Sequence, residues 1–136
     1  MQVKIDTKEK FHVLTPECSE LSANMAAVIN ETATQLLQHE VKNIVLNMQA
    51  VAVVDEAGAN LLASIQQQFY ERHHSFVICN LQPKVENTLE ELELLEFMNV
   101  TPTESEAWDI VQMEEIEREL LDDDEPMFND IDTEGK

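Results

Sequence analysis

Glycine is almost missing, with Gly58 and Gly135 the only two in 136 residues. Neither a P-loop nor a G-x-G-x-x-G turn can be assembled from them, so phosphate binding by a glycine-rich loop is excluded. Cysteine is as scarce: Cys18 and Cys79 lie far apart with no C-x-x-C pair, and both read as buried free thiols. Positive charge is thin, since 8 Lys and Arg stand against 28 Asp and Glu, and a net charge of −20 opposes nucleic-acid phosphates and anionic lipid. No H-E-x-x-H motif or Cys/His cluster occurs, and His12 and His39 lack partners at i,i+4 spacing, so no metal is expected. His73 and His74 instead fall where a helix would end, a position that suits positive charge. Serines 19, 22, 64, 75 and 105 sit in no G-x-S-x-G elbow, and neither enzymatic activity nor a cofactor is expected. No apolar run approaches the roughly 20 residues of a membrane helix, and no basic start leads into an apolar segment. The expected location is the cytoplasm, without membrane insertion.

What is present is a 43% hydrophobic chain, enough for one core and too short for two ordinary domains. The acidic residues are unevenly spread: residues 104–136 hold 14 of the 28, with Arg118 and Lys136 their only fixed positive charges. A domain over residues 1–121 and an acidic, disordered tail over 122–136 are expected, the run from Asp122 and Pro126 ending the last helix. Within the tail, Pro126 to Ile131 reads either as solvating acidic chain or as a short docking motif.

Val3 to Ile5 and Phe11 to Leu14 alternate apolar with polar residues around Thr7 to Lys10, which predicts an antiparallel hairpin closed by Pro16. Ser19 or Ser22 can cap a first helix carrying Leu21, Met25, Val28, Ile29, Thr32 and Leu36 and ending near His39 and Glu40. Asn43 to Met48 is continuously apolar, as in a central strand covered on both faces. A second helix from Ala57 buries Leu61, Leu62, Ile65 and Phe69, and a strand follows over Ser75 to Leu81. Pro83 opens a third helix with Val85, Leu89 and Leu92 inward, and Phe97 to Val100 lead into a last short strand. Thr103 caps the final helix, which continues through Ala107, Ile110, Val111 and Glu114 to Leu121. The order β-β-α-β-α-β-α-β-α implies an α/β fold: one small mixed sheet, an opening hairpin then parallel crossovers, packed by about four helices.

The most informative stretch is residues 44 to 62, where an uncharged β-branched run passes through Asp55-Glu56-Ala57-Gly58 into a helix. Asp55 is a good N-cap. Gly58 in the first helical turn weakens a helix relative to alanine, which points to close approach there, by another molecule as one answer. Beyond it Ala57, Asn60, Ser64, Gln67 and Gln68 share a face that is small, polar and uncharged. Charge depletion in so acidic a protein favours a protein contact over mere solvation.

Leu46-Asn47-Met48, six further residues, then Asp55-Glu56-Ala57-Gly58 resembles the STAS domain of anti-sigma factor antagonists, where a strand ends in Asp-Ser-Ser/Thr-Gly. The resemblance spans roughly residues 3 to 115 and is supported by Asn80 to Pro83 and Thr101 to Ala107. It implies an interaction module whose partner is an anti-sigma factor or a GHKL-type kinase, the second hydroxyl residue of the motif being phosphorylated to break the complex. Asp55 and Gly58 match the motif, Glu56 replaces its first serine, and Ala57 stands at the phosphoacceptor without a hydroxyl. Ser64 is then either a displaced phosphoacceptor or a locally bonded helical serine, and Glu56 a built-in charge smaller than a phosphate. Asn47 corresponds to a position where the family often has Asp or Asn, and either holds the turn or touches a ligand. The resemblance thus leads to a docking surface of Asn47, Asp55, Glu56, Ala57, Gly58, Asn60, Ser64 and Gln67 that phosphorylation at position 57 cannot switch. The alternative is a structural subunit of a larger assembly, such as a transporter's cytoplasmic part or a signalling particle. A small anionic ligand is the weakest reading, because Asp55 and Glu56 repel the phosphates a bare helix N-terminus attracts.

Overall fold

The opening alternation folds into β1 (Gln2–Thr7) and β2 (Phe11–Glu17), an antiparallel hairpin with Ile5 opposite Leu14. The chain then runs through β3 (Glu20–Leu21), α1 (Ala23–Leu36), β4 (Asn43–Asn47), β5 (Val53–Val54) and α2 (Glu56–Glu71). It continues with β6 (Phe76–Cys79), α3 (Pro83–Glu91), a single 3-10 turn at Leu95–Phe97, β7 (Val100–Thr101) and α4 (Glu104–Phe128). The computed structural model describes residues 2–128, with side-chain surroundings for residues 2–120. Five strands form one mixed sheet in the order β1-β2-β4-β6-β7, every pairing beyond the hairpin being parallel. The expected fold class is observed, a mixed α/β domain with four helices.

Strand period two divides the core into two layers. Leu14, Ile44, Leu46, Phe76 and Ile78 point to one face, where Ile29 of α1, Leu62 and Ile65 of α2, and Val85 and Leu89 of α3 cover them. Phe11, Val13, Val45, Val77 and Cys79 point to the other, where Ala107 and Val111 of α4 cover them and Trp108 lies against Phe11 with ring centroids 5.3 Å apart. Among the described residues, three helices thus stand on one face and α4 alone on the other.

Polar ties hold the layers in register. Gln66, buried on α2, donates to the Phe76 carbonyl at 2.6 Å and the Asn99 carbonyl at 3.1 Å, and accepts from the Asn99 amide at 2.9 Å. Glu114 of α4 accepts from Tyr70 at 2.9 Å, from Ser75, and from Asn99 at 3.3 Å. Arg118 donates to Asn43 Oδ1 at 3.3 Å and Ser75 Oγ at 3.0 Å, so its charge is turned inward. Burial, and then the Glu114 charge, push the Tyr70 phenol up to about 12; burial, and then Glu104, push the Cys79 thiol up to about 12.

Four details depart from the sequence expectation. Leu21 belongs to β3 rather than to the first helix, which Ser22 caps by accepting from Met25 N at 3.5 Å, and α1 ends at Leu36, short of His39. The two-residue strands β3 and β5 pair in parallel as a separate small sheet, too short to show any periodicity. Pro16 lies within β2 opposite Val3, in a stretch where β4 no longer pairs because its register stops at Leu14. α4 runs on to Phe128, past Leu121 and through Pro126. Like-charge neighbours on a helix cost only about 0.2–0.5 kcal/mol per pair, so an acidic run alone does not end one. The expectation for residues 129–136, and for the side chains of 121–128, lies outside the described residues.

Replacing Gln66 by Leu orphans the Phe76 carbonyl and the Asn99 amide near the sheet, at about 1–3 kcal/mol for each group left unsatisfied, while the Asn99 carbonyl keeps its bond from Ile78 N at 3.0 Å. A urea titration should show at least about 2 kcal/mol of lost stability with an unchanged m-value. Alkali provides a second check. Cys79 and Tyr70 have folded values raised above their ordinary 9.0 and 10.0, so both favour the fold fully below those values. That stability should drain away as pH climbs toward about 12, and Tyr70→Phe should flatten the upper part of the decline.

Candidate functional site

The elbow between β5 and α2 is built on β3. Ala52 N and Val53 N donate to the Ser19 carbonyl at 2.7 and 3.0 Å, and Asp55 N donates to the Leu21 carbonyl at 3.2 Å. Asp55 has extended backbone and caps α2, its Oδ1 accepting from Gly58 N at 2.7 Å while its carbonyl accepts from Ala59 N at 2.9 Å. Gly58 is buried directly over β3, and a Cβ added there would stand 2.6 Å from the Leu21 carbonyl oxygen and 3.1 Å from the Ser22 carbonyl carbon. The bare backbone at Gly58 is therefore required by the chain's own β3, which corrects the reading that another molecule approaches closely there. The close approach is intramolecular.

Around that buried glycine the rim faces outward. Asp55, Glu56 and Ala57 are exposed, and Asn60 and Gln67 continue the exposed surface with Ser64 half-buried between them. Their polar groups are satisfied along the helix: Asn60 Nδ2 donates to the Glu56 carbonyl at 3.0 Å, Gln68 Nε2 to Ser64 Oγ at 3.4 Å, and Gln67 Nε2 to Glu71 at 3.3 Å. Ser64 is thus bonded locally, as a mid-helix serine commonly is. Beyond Glu56 the face presents amides, a hydroxyl and a methyl group, and the exposed amide oxygens of Asn60, Gln67 and Gln68 can accept from a partner laid on it.

Asn47 does not join this surface. It shares strand parity with Val45 and so faces α4, where its Nδ2 donates to Glu104 at 3.2 Å and its Oδ1 accepts from Gln49 N at 3.0 Å and Asn80 Nδ2 at 3.2 Å. All of its amide is spent on holding the ends of β4 and β6 against the start of α4. Sequence reasoning passed over Gln66 and Glu114, the latter read only as one residue of a helical run. Periodicity cannot distinguish a buried, paired polar side chain from a solvated one. Among the described residues no group of three or more His, Cys, Asp or Glu could hold a metal ion. No described helix is long and apolar enough to cross a membrane.

The geometry agrees with comparisons to known proteins. The profile of the STAS domain matches residues 3–107. The chain belongs to the STAS domain family. Among solved structures, a candidate anti-sigma factor antagonist of Thermotoga maritima is 20% identical, with a TM-score of 0.71 over 81% of this chain and 94% of that one. A serine-to-glutamate variant of RsbS from Moorella thermoacetica is 23% identical, with a TM-score of 0.68 over 82% and 96%. A murine solute carrier 26 anion transporter, in its inward-facing state, is 16% identical with a TM-score of 0.65, covering 79% of this chain and 18% of that one. No curated protein matches the chain.

Gly58→Ala tests the elbow. Alanine gains about 1 kcal/mol of helix propensity, but a methyl driven into backbone costs typically about 1–3 kcal/mol, more where nothing can yield. A net loss of about 1–2 kcal/mol is expected from the urea midpoint; an unchanged or raised midpoint would show that β3 does not need the glycine. Asp55→Ala should remove the cap at a further cost of about 0.5–2 kcal/mol.

Proposed function

We propose that this STAS domain is a non-catalytic interaction module of bacterial signalling or transcription regulation, working in the cytoplasm as an anti-sigma factor antagonist does. Its contact surface is the rim Asp55, Glu56 and Ala57 with Asn60, Ser64 and Gln67 on the outer side of α2, mounted on the buried Gly58. The partner is an anti-sigma factor or a GHKL-type kinase. The carrying observation is that the elbow is fixed by β3 beneath it while its outward face is largely exposed and uncharged beyond Glu56. Asn47 contributes by holding the strand end rather than by touching the partner.

Ala57 has no hydroxyl, so the addition of about −1.5 to −2 charges that would repel a partner cannot occur there. Glu56 supplies a single carboxylate, about half that charge and one residue away, too little to mimic the modified state. Binding at this surface is accordingly constitutive. A stoichiometric complex that survives purification and whose other members are a transporter or the components of a multi-protein particle, with no anti-sigma factor or kinase among them, would point instead to a structural subunit of a larger assembly.

Because positions 57 and 60 are exposed, Ala57→Arg and Asn60→Arg leave the core intact, which a Gly58 substitution does not. Affinity capture with the wild type should retain a partner that both variants lose while keeping the wild-type melting temperature. Equal capture by all three would place the contact elsewhere. Incubation with a kinase recovered in that capture and ATP should leave residues 55–64 unmodified by mass spectrometry; phosphate on Ser64 would overturn the constitutive reading.

A further inference from the structure

Among the described residues the face of the sheet opposite α2 carries α4 alone, and α4 presents apolar side chains on both of its sides. Ala107 and Val111 are buried against the strands, and Glu114 and Arg118 make their bonds inward. At 100° per residue, Met113, Ile116 and Leu120 fall on the reverse side at three- and four-residue steps. They are 57, 57 and 58% exposed. Spacing of this kind is the seam a second helix packs against.

Charge identifies what fits the seam. Asp109 lies one turn before Met113 on the same side, Glu106 and Glu117 border the stripe on one flank and Glu119 on the other, while the cations at α4 are engaged: Arg118 with Asn43 and Ser75, Lys10 with Glu115 at 3.6 Å, and Lys8 over the Trp108 ring at 5.5 Å. We propose that Met113, Ile116 and Leu120 form a docking seam for a cationic amphipathic helix of a protein partner, leucine-like residues at i, i+3 and i+7 meeting the stripe and Lys or Arg meeting the acidic borders. A second copy of this chain fits poorly, because two-fold pairing would bring the acidic borders of both copies together. An anionic membrane meets the same repulsion. The seam lies across the sheet from the α2 rim, so the chain can hold two partners at once and act as an adaptor.

The probe is a synthetic helix of roughly 18 residues made of Leu and Lys with the leucines on one face, titrated into the full chain with labelled Met, Ile and Leu methyl groups. Saturable NMR shifts should centre on Met113, Ile116 and Leu120, and should weaken severalfold as NaCl rises from about 0.05 to 0.5 M. A peptide of identical composition with leucines spread around the helix should bind at least about tenfold more weakly, as should the triple variant M113Q/I116Q/L120Q. All three positions are more than half exposed, so an unchanged melting temperature should confirm that the variant folds. Shifts centred elsewhere, no shifts, or equal binding by the variant would overturn the proposal. A wild-type dimer in sedimentation that the triple variant abolishes would also overturn it, in favour of self-association.

Discussion

The carbonyl of Leu21 and the backbone of Gly58 approach so closely that no side chain fits between them, and much of the molecule is arranged around that contact. The same carbonyl takes the Asp55 amide, so one oxygen both aligns β5 with β3 and sets the height at which α2 begins. With its first turn seated there, α2 can turn only one stripe inward, and Leu62, Ile65 and Phe69 occupy it. Asp55, Glu56 and Ala57 are left outside by the same geometry. A rigid floor under an exposed rim is what a recognition surface needs, because a partner then has little local ordering to oppose its binding.

The two faces of the sheet are secured differently. On the α1, α2 and α3 side, apolar burial dominates and the layers interlock over a wide area. On the α4 side the apolar patch is smaller, and directional bonds add to it: Asn47 with Glu104 at the start of the helix, then Glu114 and Arg118 further along. A protein with a net charge of −20 uses one of its eight cations in that inner layer. Half-satisfied polar groups there would be costly, and each of these is paired.

Much of the fold was legible because the strands of a covered parallel sheet are apolar throughout and their crossover helices repeat at three and four residues. Asn43 to Met48 and the stripe from Leu62 to Phe69 follow those rules. The strands β3 and β5 escaped because two residues carry no period, and missing them turned the meaning of Gly58 around, from a surface cleared for a visitor to a floor pressed on the chain's own backbone. Asp55 was recognisable as a cap from its type and place. Asn47 was recognisable as important but not as facing α4, since the side to which a residue points depends on strand register. Gln66 gave no signal, because a glutamine among glutamines looks solvated until its carbonyl partners arrive from β6 and the Asn99 turn.

Hydrogen exchange on the complex with the captured partner tests the central claim most directly. The amides of Glu56 and Ala57 open α2 and have no intrahelical acceptor, so they should exchange rapidly in the free protein. A partner seated on the rim should slow both by at least about tenfold and leave the amides of β6, already buried, unchanged. Protection confined to α4 or to the β1 edge, with residues 56 and 57 exchanging as fast as before, would contradict the account.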